Sequence, residues 1–88
     1  DINLIFLLPP SHMDLQNKTK DFNFEKEYLK YKNDIFSLGV TFDCDFESEV
    51  TSNMDNFTDP LHYSSIVAEN IVSILTQNRG SNAMCLKY

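Results

Sequence analysis

Residues Ile2-Asn3-Leu4-Ile5-Phe6-Leu7-Leu8 form a nearly continuous apolar run without period-2 alternation. That pattern predicts a strand covered on both faces, as in a parallel sheet, and Pro9-Pro10 end it because neither proline donates to a ladder. From about Thr19 to Asn33 the pattern turns helical. Phe22, Leu29 and either Glu25 or Lys26 between them fall at 3–4 spacing, with Tyr28 and Tyr31 flanking the stripe. Asp21 near the start and Lys30 and Lys32 near the end suit the helix dipole. Residues Ile35 to Phe42 then alternate, with Phe36, Leu38, Val40 and Phe42 on one face and Ser37, Gly39 and Thr41 on the other. A second strand is predicted there, and the strand–helix–strand order implies parallel pairing through a right-handed connection.

The stretch from Asp43 to Asp59 is polar and acidic and reads as a solvated loop, since its carboxylates lack the spacing and central glycine of an EF-hand. The last element is the clearest helix. Ser64 or Ser65 caps it, Ile66, Val67, Ile71, Ile74 and Leu75 form its core stripe, and Gly80 follows Arg79 past its end. The expectation is an α/β fold of strand, helix, strand, loop and helix with parallel strands.

With 88 residues the chain is at most one small domain, of a size that buries only about 60–65% of the surface its unfolded form exposes. Its apolar content of 42% lies above the disordered range, so it folds, alone or against a partner. The apolar start at Asp1 without a basic leader argues against a secretory signal and suggests a piece of a longer polypeptide. No run reaches the about 18 apolar residues of a membrane span.

Net charge is −6, which argues against a nucleic-acid surface, where clustered Lys and Arg are required. Lys18, Lys20, Lys26, Lys30 and Lys32 are interleaved with Asp21, Glu25, Glu27 and Asp34 and read as a solvated helix face. Cys44 and Cys85 are 41 residues apart, without a CxxC pair or a Cys/His cluster. A zinc site is unsupported, no cofactor is implied, and the two thiols are expected to be unpaired, with a disulfide the alternative that two cysteines alone do not argue. His12 at the first strand's end is expected to be a surface-loop histidine. Ser81-Asn82-Ala83-Met84 matches a common expression-vector scar, so residues 81–88 are set apart as a tail from a domain of residues 1–80.

Between the second strand and the last helix lies Asn56-Phe57-Thr58-Asp59-Pro60-Leu61-His62-Tyr63. Asp59 and His62 are three apart across a proline. A turn at Pro60-Leu61 puts both side chains on one side, where the carboxylate can fix the imidazole tautomer and stabilise its cation. Such an imidazole serves as a general base when a serine approaches its second nitrogen to about 2.6–3.2 Å.

Residues 55–64, followed by an amphipathic helix, resemble the closing block of the SGNH (GDSL-type) hydrolase and acyltransferase superfamily, in its bacterial cell-envelope branch. The strand end Leu7-Leu8-Pro9-Pro10-Ser11 and the strand at Leu38–Phe46 are similar to that fold's later strands. The resemblance covers roughly residues 1–78 and is specific only at 56–63. It implies a flavodoxin-like α/β/α sandwich and a serine esterase or O-acyltransferase in which Asp59 orients His62. It also implies a periplasmic or cell-surface location and an ester-bearing glycan or envelope polymer as substrate. The superfamily's Gly-Asp-Ser block has no counterpart here, so the chain alone is expected to be inactive. The partner would be the missing N-terminal part of the polypeptide, or another copy of the chain completing the sheet. The alternative is a non-catalytic α/β interaction module in which Asp59 and His62 are structural.

Overall fold

In the computed structural model, which describes residues 4–77 and 84–88, strand β1 (Ile5–Leu8) runs parallel to β2 (Val40–Asp43). Leu8 lies opposite Asp43, and Cys44 N–H continues the ladder by donating to Leu8 C=O at 2.9 Å. The expected parallel pair is present, with β2 displaced toward the chain's C-terminus because the preceding helix continues to Phe36.

The helix expected over 19–33 is two helices, α1 (Met13–Asp21) and α2 (Glu25–Phe36). The break lies at Asn23, whose φ of 60° ends α1 in the left-handed region that asparagine tolerates. Asn23 N–H donates to Lys20 C=O at 3.0 Å and Phe24 N–H to Thr19 C=O at 2.8 Å. That pair of bonds is a Schellman closure, and it satisfies carbonyls that would otherwise be orphaned. The apolar stripe is also corrected: Phe22 is 66% and Leu29 61% exposed. The inward face of α2 instead carries Tyr28, Lys32, Ile35 and Phe36.

Lys32 overturns the solvated-face reading of the lysines at one position. It is buried, and its Nζ bonds Asp43 Oδ2 at 2.9 Å and Asp45 C=O at 2.5 Å. Its apolar stem lies along the packed surface while the ammonium reaches the end of β2. Lys18, Lys20, Lys26 and Lys30 remain exposed, Lys30 pairing with Asp34 one turn on.

The acidic stretch is structured rather than a loop throughout. Ser48 caps the four-residue helix α3 (Glu49–Ser52) in a reciprocal capping box with Thr51, and a 3-10 turn follows at Met54–Asn56. Then come two short antiparallel strands, β3 (Phe57–Asp59) and β4 (His62–Tyr63). Helix α4 (Ser65–Gln77) follows, with Ser64 Oγ 3.5 Å from Val67 N–H at its start. Val67 and Ile71 are buried and Ile74 and Leu75 pack beside them, whereas Ile66 is 68% exposed. Gly80 and Arg79 lie outside the described residues.

Residues 84–88 belong to the fold. Strand β5 (Leu86–Lys87) adds antiparallel to β2, giving the order β1-β2-β5, and Tyr88 stacks on Phe36 with ring centroids 4.1 Å apart. Met84 and Cys85 are buried in the core beside Val67 and Ile71. Cys44 and Cys85 form a disulfide, which corrects the expectation of unpaired thiols. Two cysteines 41 residues apart carried no sequence signal for pairing; β5 beside β2 brings them together.

Successive strand residues point to opposite faces. Asp43 reaches α2 through Lys32, while Cys44 lies in the core cluster with α4 residues. The two helices therefore cover opposite faces of the sheet, and the molecule is a small mixed α/β domain.

Candidate functional site

The turns after the two parallel strands are bound to each other. Asp45 Oδ1 accepts from Ser11 N–H at 2.8 Å, Ser11 Oγ at 2.6 Å and Gln16 Nε2 at 3.4 Å, and Tyr28 Oη donates to Oδ2. Burial, then the hydrogen bond to Asp45 and the charges of Asp45 and Asp43, push the Tyr28 phenol well above the ordinary tyrosine range. This cluster fixes the strand ends that, in open parallel sheets, flank binding crevices.

The β3–β4 hairpin is attached to that framework. His12 N–H donates to Pro60 C=O at 3.0 Å, and Ser64 N–H donates to Asn56 C=O at 2.7 Å at the hairpin base. The hairpin follows from its sequence. Asp59 Oδ1 accepts from Leu61 N–H at 2.9 Å and His62 N–H at 3.1 Å, an Asx turn with proline fixing φ at the next position. Asp59 pairs with His62 across the turn.

Both sequence-predicted site residues are thereby brought together. His62 Nδ1 lies 2.7 Å from Asp59 Oδ2 and 2.9 Å from Oδ1. The hydrogen bond from His62, then that from Leu61 N–H, hold the Asp59 carboxyl below its ordinary range against a smaller opposing desolvation. The side chains are 71% (His62) and 52% (Asp59) exposed. In the neutral imidazole, Nδ1–H donating to the carboxylate leaves the lone pair on Nε2, and no hydrogen bond from a described residue reaches that atom. The arrangement is an oriented base open to solvent.

Among the described residues no serine hydrogen-bonds His62. Ser11 is committed to Asp45, Ser48 to Thr51 and Ser37 to Asp34 C=O. Nor does the pocket between α1 and α2 belong to the pair. That space of about 390 Å³ lies between α1 and α2, over Leu15, Thr19, Tyr28 and Asp45, and neither Asp59 nor His62 lines it. Its polar floor is occupied by the internal bonds of Asp45, so its size carries no assignment. Among the described residues no cluster of three or more His, Cys, Asp or Glu could hold a metal ion, and no helix is long and apolar enough to cross a membrane.

His12 departs from the surface-loop expectation. It is 6% exposed and caps α1, its Nδ1 accepting from Asp14 N–H at 3.2 Å. The ring meets Phe57 edge-on with centroids 5.5 Å apart. The available sequence signal was a position directly after a strand end and one residue before an apolar-to-polar helix, which is where an N-cap falls.

No family profile, curated protein or solved structure matches this chain.

Proposed function

We propose that Asp59 and His62 are the orienting and proton-transferring members of a serine-hydrolase-type site of the SGNH (GDSL-type) kind. The substrate is an ester on a glycan or envelope polymer, and the fold is part of a flavodoxin-like sandwich. The observation that carries this reading is the 2.7 Å contact from Asp59 Oδ2 to His62 Nδ1 on a turn that leaves Nε2 without a protein partner among the described residues. Helices on both faces of a parallel strand pair support the sandwich. The free side of β1 supports its continuation: Leu4 and Ile5 are 61% and 54% exposed, and β1 pairs only with β2 among the described strands. The Cys44–Cys85 disulfide suits an oxidising compartment such as the periplasm or cell surface.

The nucleophilic serine comes from a further segment of the same polypeptide, or from another copy of the chain. His62 Nε2 takes the hydroxyl proton as serine oxygen attacks the ester carbonyl, and Asp59 stabilises the imidazolium. The tetrahedral intermediate collapses with cleavage of the ester C–O bond, and His62 returns the proton to the leaving alkoxide, leaving an acyl-enzyme. Water or an acceptor hydroxyl then attacks the acyl carbon, with His62 again removing and returning the proton.

The alternative, a non-catalytic interaction module, is favoured by one observation: Asp59 also accepts two backbone bonds that shape the turn. One experiment separates the two. In the polypeptide bearing the nucleophile, His62→Ala lowers ester turnover by about four orders of magnitude, measured with p-nitrophenyl acetate. Unchanged turnover would assign the pair to structure alone.

A further inference from the structure

The α1–α2 hairpin closed at Asn23 turns one face of each helix toward a shared space. Leu15 and Thr19 lie one turn apart on α1, and Glu25, Tyr28 and Leu29 recur at helical spacing on α2; all five line the pocket of about 390 Å³. Leu29, 61% exposed and outside the core, is one of its walls. At the floor Asp45 already accepts from Ser11, Gln16 and Tyr28. With that carboxylate filled from within the protein, the surface left to an occupant is mostly apolar.

Charge decides the kind of occupant. Glu25 and Glu47 line the pocket, and Lys20 is the one cationic side chain among its walls. None of these three forms an ion pair with a described residue, so both glutamates are open to a ligand's charge. Deeper in, burial, the hydrogen bond to Asp45 and the charges of Asp45 and Asp43 all oppose ionisation of Tyr28. An anion beside that phenol meets the same opposition. We infer that the pocket binds a small organic cation, its apolar body against Leu15, Tyr28 and Leu29 and its ammonium attracted by Glu25 and Glu47. The volume lies at the low end of the about 300–1,000 Å³ of small-molecule sites, enough for one ring and a short chain. Neither Asp59 nor His62 lines this space, so the cation site stands whether or not those two react.

Phenylpropylammonium, phenylpropanol and phenylpropanoate share one apolar body and differ in charge, and their binding to the chain is read by NMR titration at low salt. The ammonium is expected to bind about fivefold tighter than the alcohol, the carboxylate weakest of the three, with amide shifts centred on α1 and α2. Joint Glu25→Gln and Glu47→Gln substitution brings the ammonium to within about twofold of the alcohol, and Leu29→Ser weakens both about threefold. All three positions are exposed, and circular dichroism checks that each variant is folded. His62→Ala is expected to leave ammonium binding unchanged. Equal affinity for ammonium and alcohol, tightest binding of the carboxylate, or no binding of any probe overturns the site. So does an unchanged preference in the folded double variant, or shifts centred on the β3–β4 hairpin and lost in His62→Ala.

Discussion

Two carboxylate clusters in this molecule use the same chemical groups in opposite ways. Asp43 and Asp45 lie at the end of β2, where Lys32, Tyr28, Ser11 and Gln16 fill their oxygens with donors from four separate positions. Asp59 lies on the hairpin, exposed, with its oxygens spent on its own turn and on one imidazole. Lys32 and Asp43 side chains are 9% and 5% exposed, against 71% and 52% for His62 and Asp59. A carboxylate enclosed by donors holds strands together and has no capacity left for a ligand. A carboxylate that orients one exposed ring leaves that ring's far nitrogen available. Pairing alone therefore does not mark a reactive site.

Breaking the enclosed cluster has the largest expected effect. Lys32→Met strands the buried Asp43 carboxylate and lowers unfolding free energy by about 3–5 kcal/mol, read from urea denaturation. Replacing both Lys32 and Asp43 by apolar residues recovers most of that loss if the penalty is the stranded charge. Joint replacement of Cys44 and Cys85 by serine comes next, at about 4 kcal/mol for the 41-residue separation in the loop-closure view.

A smaller effect sharpens the same cluster. Tyr28→Phe removes one of several donors to Asp45 and costs about 1 kcal/mol. Because the folded phenol titrates above its unfolded value, its contribution is complete below the ordinary tyrosine range and is lost as pH rises through that range toward the folded value. The alkaline fall in wild-type stability is therefore steeper than that of Tyr28→Phe.

The exposed pair gives the smallest stability effect. His62→Ala leaves the urea midpoint unchanged within error. The Asp59 carboxyl titrates below its ordinary range in the wild type, so its contribution is present above that range and lost as pH falls through the folded value. In His62→Ala the carboxyl resonance shifts its midpoint upward, because the imidazole hydrogen bond that most favours the charged form is gone. A midpoint that does not move would show that the backbone bonds alone hold it.

Local pattern made much of this legible. The apolar run into Pro9-Pro10 marked β1, the Ile71–Leu75 stripe marked α4, and Asp59-Pro60 marked the turn that joins Asp59 to His62. Three features stayed hidden, one for a local reason and two because long-range placement decides them. The break at Asn23 depends on a single left-handed residue inside a helical pattern. Lys32 becomes buried because β2 ends opposite it with Asp43, a tertiary fact that charge spacing along a helix does not encode. Cys44 meets Cys85 because β5 returns beside β2, after a stretch whose letters gave reason to set it aside. His12 combined both kinds of information: its capping position was local, its burial against Phe57 was not.

In the proposed site Asp59 fixes His62 as a base with its lone pair on Nε2. A long-range proton–nitrogen NMR spectrum of the imidazole in mildly alkaline solution reads that tautomer directly. The expected spectrum shows the proton on Nδ1 and a bare Nε2, with the preference lost in Asp59→Ala. A His62 ring protonated on Nε2, or one with the same tautomer balance in Asp59→Ala, would contradict it.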